Sequence, residues 1–142
     1  MADTEALGAR LGEASRPGDV LLLEGPLGAG KTVLARGIAR GLGVAGEVSS
    51  PTFVLVHQHL GRLPLVHADL YRLESRAEID ALGLLELAED GVLVVEWADR
   101  APWLGVDGAA RLVLTPAASE TARTLVVVSA PAHLGAVVDA AP

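Results

Sequence analysis

A chain of 142 residues with 51% hydrophobic content is long enough to bury a core and too apolar to stay disordered. It contains no cysteine, which excludes a disulfide framework and a thiolate metal site. Its formal net charge of −7 argues against unaided binding to nucleic acid, which needs a basic surface, so any role with RNA is expected to run through a partner. No apolar run reaches the length of a membrane helix, and the N-terminus has no basic region followed by an apolar one. One cytoplasmic domain spanning residues 1–142 is expected.

In chain order, Asp3 or Thr4 is placed to cap a first helix in which Leu7 and Leu11 share a face. Pro17-Gly18-Asp19 stops it and turns into Val20-Leu21-Leu22-Leu23-Glu24, a short apolar run of the kind that forms a buried parallel strand. Residues 33–42 follow as a helix with Leu34, Ile38 and Leu42 on one stripe and Gly43 as C-cap. Residues 53–59 read as a strand, with residues 60–64 as a hairpin loop and residues 65–69 as the antiparallel return. Ser75 and Glu78 make a capping box for a short helix. Asp90-Gly91 then turns into a second apolar run, Val92-Leu93-Val94-Val95-Glu96. Arg111–Thr115 and Thr124–Ser129 read as strands joined by a polar turn around Ser119-Glu120, and His133–Asp139 as a short amphipathic tail. With the stretch Gly25-Pro26-Leu27-Gly28-Ala29-Gly30-Lys31-Thr32 between the first strand and its helix, the pattern predicts an α/β, three-layer P-loop NTPase fold. Its sheet is mostly parallel, with antiparallel hairpin strands extending one side.

Between the first strand and its helix lies Gly25-Pro26-Leu27-Gly28-Ala29-Gly30-Lys31-Thr32, which reads G-x-x-x-x-G-K-[ST]. Glycines at this spacing let successive backbone N–H groups turn inward as an anion nest, and the following helix adds its positive end. Gly25, Gly28, Ala29, Gly30 and the Val33 N–H would cradle the phosphates of a nucleotide. Lys31 would reach the β- and γ-phosphates, and the Thr32 hydroxyl would complete a Mg²⁺ shell. The chain carries ten arginines and one lysine, and that lysine is Lys31. A compact ammonium suits a tight phosphate cradle better than a guanidinium fork does.

Two acids close apolar strands, where a P-loop sheet places its metal-side carboxylate. Glu96 follows four apolar residues and is the candidate Mg²⁺ ligand. Asp69, less cleanly because His67 interrupts its run, would orient the attacking water or hold a metal-bound one. The competing reading makes both acids solvated or capping groups. Asp90 and Asp99 read as solvated turn acids. Ser49-Ser50-Pro51-Thr52 is either a switch segment sensing the γ-phosphate or a Ser/Pro turn leading into a strand. His57, His59 and His67 lack the spacing of a metal set, and the first two read as paired surface histidines. Trp97 either packs under the site and shields it from water or fills the core.

The single lysine also excludes the Asn/Thr-Lys-x-Asp segment by which GTP switches read guanine, which favours ATP. An ATPase, a small-molecule kinase with Arg72 and Arg76 on a lid, and a nucleotide-binding regulatory subunit without turnover all fit these motifs.

Gly28-Ala29-Gly30-Lys31-Thr32, Ser50-Pro51-Thr52-Phe53, His67-Ala68-Asp69-Leu70-Tyr71-Arg72-Leu73 and Glu96-Trp97 together resemble the TsaE family, in its order and spacing, from Thr4 to Trp97. The resemblance implies a bacterial ATPase needed for threonylcarbamoyl modification of the tRNA adenosine beside the anticodon. It would use ATP and Mg²⁺ to reset the TsaB–TsaD complex, leaving the tRNA to those partners. It further implies that Thr32 and Glu96 touch Mg²⁺, that Asp69 serves hydrolysis and that Thr52 is a switch residue. Trp97 is counted with the nucleotide-binding residues. Pro26 stands where the family usually has aspartate, Val33 where a second threonine is frequent, and Ala98 where proline is common.

Overall fold

The computed structural model describes residues 2–26, 30–45, 56–104, 108–116 and 123–139. The elements in chain order are α1 (Ala2–Ala14), β1 (Val20–Glu24), α2 (Lys31–Gly41), β2 (Val56–Leu60), β3 (Pro64–Asp69), α3 (Arg76–Asp80), α4 (Leu84–Leu87), β4 (Val92–Glu96), a 3₁₀ turn at Ala98–Arg100, β5 (Ala110–Pro116), β6 (Arg123–Ser129) and α5 (Ala132–Asp139). One six-stranded sheet runs in the order β2-β3-β4-β1-β5-β6. Its four inner strands are parallel, and β2 and β6 are antiparallel edges. A hairpin therefore extends the sheet on both sides, where the sequence reading expected one. Among the described residues, no helix is long and apolar enough to cross a membrane.

Strand alternation sorts the side chains into two cores. Leu21, Leu23, Leu65, Val92, Val94, Leu112 and Leu114 face α1, α2 and α5. Leu22, Val66, Ala68, Leu93 and Val95 face Ile79, Leu84, Ala88 and Ala101 on the opposite side. That gives the three layers. β1, β3 and β4 have helical cover on both faces, which is why they read as near-continuous apolar runs. The order also reverses at β1, whose neighbours β4 and β5 both come later in the chain. In such sheets ligands bind beyond the carboxyl ends of the strands at this switch point, and the glycine loop leaves β1 there.

The helix ends follow local chemistry. Gly30 takes φ 103° at the start of α2, a left-handed conformation costly for any side chain. At the other end, Gly43 at φ 76° lets Val44 N–H reach the Ala39 carbonyl while Gly43 N–H bonds Arg40, so two orphan carbonyls are satisfied. Ser75 Oγ accepts the Glu78 N–H at 3.2 Å, as the capping box predicts. α1 differs from its reading: Asp3 and Thr4 fall inside the helix, and neither is its cap.

The sequence reading also missed how α1 grips α2. Gly8 and Gly12 on α1 meet Gly37 and Gly41 on α2, so the two backbones touch with no side chain between them. A Cβ on Gly37 would stand 2.2 Å from the Glu5 carbonyl oxygen, and one on Gly12 2.2 Å from the Ile38 oxygen. Since both obstacles are backbone, only a shift of one helix would relieve them. Gly37→Ala is expected to cost about 2–3 kcal/mol in urea unfolding. Gly135→Ala in α5, whose nearest atom would be 3.9 Å away, should instead stabilise by about 0.5–1 kcal/mol. Equal effects at the two positions would refute the close-contact account.

Candidate active site

Parallel pairing sets three strand ends level with one another. Asp69 on β3 is in register with Glu96 on β4, which is in register with Leu23 on β1. Glu96, Asp69 and His67 lie on the same face as Leu65, Val92 and Val94, the face that packs α2. α2 begins at Lys31, so its first turn opens directly over the two carboxylates.

The contacts there are specific. The Thr32 hydroxyl donates to Glu96 Oε1 at 2.8 Å, joining α2 to the end of β4. His67 Nε2 meets the other oxygen, Glu96 Oε2, at 2.5 Å. Asp69 Oδ1 accepts the Tyr71 N–H at 2.9 Å, which fixes its carboxylate beside the turn. The next backbone pair, Leu70 N–H to Glu96 O, ties the two strand ends together. Lys31 Nζ donates to the carbonyls of Gly25 and Pro26 at 2.5 and 2.9 Å and lies 4.0 Å from the centre of the Trp97 ring. Trp97 in turn packs on Tyr71, ring centres 4.8 Å apart.

Burial separates these residues from ordinary strand-end charges. Lys31, His67, Asp69 and Glu96 are 5%, 1%, 6% and 2% exposed, and Ser15 is the one other buried polar residue among those described. The solvated reading of Asp69 and Glu96 therefore does not hold, whereas Asp90 and Asp99 are exposed as expected. Burial lowers the Lys31 pKa, against the opposing pull of Glu96, Asp99 and Asp69. Burial likewise raises that of Asp69, helped by the Glu96 charge and opposed by the Tyr71 N–H, His67 and Lys31. Two carboxylates side by side out of water make a site that favours a cation.

The structure brings Gly25, Gly30, Lys31, Thr32, Val33, Asp69, Glu96 and Trp97 to one end of the sheet. Gly28, Ala29 and Thr52, together with the rest of the Ser49–Thr52 segment and the turn at Ser119-Glu120, lie outside the described residues. Trp97 is half-buried and is the one described non-glycine residue with positive φ, at 58°. A bulky side chain held there stores roughly 1–3 kcal/mol of strain, and here the result is a ring against the Lys31 ammonium.

His67 is the residue that sequence reasoning missed. Its signal was present: it stands two residues before Asp69, hence on the same face, in a strand that is otherwise apolar inward. His57 and His59 are paired on the edge strand β2, half-buried, with rings 6.0 Å apart edge to face. Burial, followed by the charges of His67 and His57, lowers the pKa of His59. Arg76, considered for a kinase lid, stacks over Trp103 at 4.6 Å and pairs with Asp80 at 3.5 Å.

The raised Asp69 pKa has a consequence for stability. The folded chain binds this proton more tightly than the unfolded chain does, so Asp69 weakens the fold as pH rises from the ordinary value of 3.8 through its own higher pKa. Asp69→Asn should therefore raise the melting temperature near pH 8, with the gain vanishing as the pH falls below the ordinary carboxylate value of 3.8. A pH-independent effect in thermal melts would remove the charge from the explanation.

A family model for "Threonylcarbamoyl adenosine biosynthesis protein TsaE" matches residues 1–125. The protein of Mycobacterium tuberculosis (strain ATCC 25618 / H37Rv) named tRNA threonylcarbamoyladenosine biosynthesis protein TsaE is 50% identical over 107 residues, covering 68% of this chain and 64% of the relative. The Bacillus subtilis (strain 168) protein of that name is 47% identical over 98 residues, covering 68% and 61%. The matched stretch thus spans just under two thirds of the length of these relatives. The crystal structure of YdiB from Bacillus subtilis is similar with a TM-score of 0.78 at 31% identity, covering 97% of this chain and 86% of that one. On the family match over its first 125 residues, and on relatives about half identical, the chain belongs to the TsaE family.

Proposed function

We propose that this chain is a Mg²⁺-dependent ATPase of tRNA threonylcarbamoyladenosine biosynthesis, working in the cytoplasm through a TsaB–TsaD complex and meeting tRNA only through it. The observation that carries the ATPase reading is the Thr32–Glu96 hydrogen bond at 2.8 Å, made where a glycine loop feeds the first turn of a helix. Hydroxyl and carboxylate converge there on the face shared with Asp69. The pathway and partners rest on family membership and on the names of the relatives.

The residues present fit Mg²⁺. The donors are oxygens, as this hard cation requires, and two carboxylates are buried side by side at neighbouring strand ends. Among the described residues, no three His, Asp or Glu side chains stand together as a protein-only metal cage. Mg²⁺ commonly needs none, since phosphate and water complete its shell. Thr32 and Glu96 would hold it, and the ion would supply positive charge to the phosphate oxygens. Gly25, Gly28, Ala29, Gly30 and the Val33 N–H would bind ATP phosphates, with Lys31 donating to the β- and γ-groups. Asp69, its carboxylate fixed by the Tyr71 N–H, would orient the attacking water. Trp97 would screen the Lys31 side from solvent, and Thr52 would respond to the γ-phosphate.

Three substitutions separate these roles. Lys31→Ala should lower ATP affinity at least about tenfold, through loss of a direct cation contact worth about 1.4 kcal/mol or more. Glu96→Gln should weaken binding chiefly when Mg²⁺ is present. Asp69→Asn should bind Mg·ATP within about threefold of the parent yet hydrolyse it about a hundredfold more slowly. Calorimetry and phosphate release, with and without the TsaB–TsaD pair, read each outcome. Turnover dependent on an added acceptor would instead indicate a kinase, and tight binding without turnover in any assembly would indicate a regulatory subunit.

A further inference from the structure

We propose that His67 is a positioning residue that orients the Glu96 carboxylate toward Thr32, and so sets the affinity of the site for its divalent cation. The inference rests on the Mg·ATP reading above and assigns a role to a side chain that reading does not use.

Glutamate at a strand end has three rotatable bonds, and here it stands level with a second carboxylate, Asp69, that repels it. Left alone, its head would be free to turn away from the loop. The structure shows both oxygens held instead. Oε1 takes the Thr32 hydroxyl at 2.8 Å, and Oε2 meets His67 Nε2 at 2.5 Å. A carboxylate oxygen only accepts, so Nε2 carries the hydrogen and the ring is the donor. One oxygen is thereby anchored to the sheet while the other faces α2.

The position is costly for a residue with no task. His67 is 1% exposed, and its Nδ1 is buried without a hydrogen-bond partner among the described residues. Its neighbours on the same face, Leu65 and Val94, are apolar and fill the core without such a penalty. If packing were all that mattered, leucine would serve better. What the imidazole adds is the bond to Glu96. Partners that orient metal ligands in this way typically set affinity by about 10- to 100-fold.

The test compares His67→Leu, His67→Gln and His67→Asn with the parent chain in two binding measurements. One is ATP affinity in EDTA; the other is Mg²⁺ half-saturation at fixed ATP, read by calorimetry without turnover. Glutamine places an amide donor near the reach of Nε2, whereas asparagine is too short. His67→Leu and His67→Asn should raise the Mg²⁺ half-saturation about 10-fold or more and leave ATP affinity in EDTA within about threefold. His67→Gln should recover most of the loss. Should the leucine variant fail to fold, the glutamine and asparagine pair still decides the matter. Parent-like Mg²⁺ dependence in the asparagine variant would overturn the proposal, as would equal losses with and without Mg²⁺, which mark a merely structural role. A parent chain without Mg²⁺-dependent ATP binding would overturn the ATPase reading itself and this inference with it.

Discussion

Two buried carboxylates stand level at neighbouring strand ends, and much of the molecule serves to keep them there. Strands lie about 4.8 Å apart, so at an effective dielectric near 20 the mutual repulsion of two such charges is about 3 kcal/mol. The fold answers that repulsion with local partners. Glu96 is held by Thr32 and His67, and Asp69 by the Tyr71 N–H. Lys31 supplies the nearby positive charge, and its own burial lowers its pKa. The partners come from α2, from β3 and from the turn after it, so the geometry holds only if α2, β3 and β4 stay in register.

That dependence explains the glycine contact between α1 and α2. α2 carries Lys31 and Thr32 at one end, and an axial slip of even an ångström would pull the Thr32 hydroxyl off Glu96. Side chains packed between two helices allow adjustment, because rotamers can give. Backbones in direct contact at Gly8, Gly12, Gly37 and Gly41 allow very little. The Gly43 cap fixes the opposite end of the helix through two further backbone bonds. The precision of the site is thus built roughly one and a half to two and a half turns along α2 from it, at positions that carry no chemistry.

How much of this could be read in the sequence depends on whether the cause is local. β1 and β4 matched residue for residue, because a buried parallel strand is apolar on both faces and ends where the chain meets polar surroundings. That Thr32, Asp69 and Glu96 meet at one end of the sheet follows from the same alternation and register. The helix–helix contact was not, since glycine at four-residue spacing looks like poor helix propensity until a second helix is laid against it. His67 was misread because a polar residue in an apolar strand registers first as a defect. Only the β3–β4 register, which sets His67 beside Val94 and two residues short of Glu96 on the same face, shows that it faces a partner. The caps assigned to Asp3 and Thr4 failed because the first turn begins earlier, and propensity does not fix helix ends to the residue.

The Trp97 conformation connects the two sides of the site. A tryptophan immediately after a buried glutamate would continue β4 most cheaply in an extended conformation. It is instead turned to φ 58°, which ends the strand at Glu96 and lays the indole beside Lys31 and Tyr71. Ring faces carry negative potential, so the ammonium gains an attraction of about 0.5–2 kcal/mol that partly offsets both its desolvation and the backbone strain. Tyr71 is also the residue whose N–H holds Asp69, and the Arg100 guanidinium lies 5.8 Å from its ring. The aromatic pair therefore connects the cation side of the site to the carboxylate side. Strain at one backbone position is repaid by contacts that reach both charges, which is the pattern expected where a fold has been shaped around its chemistry.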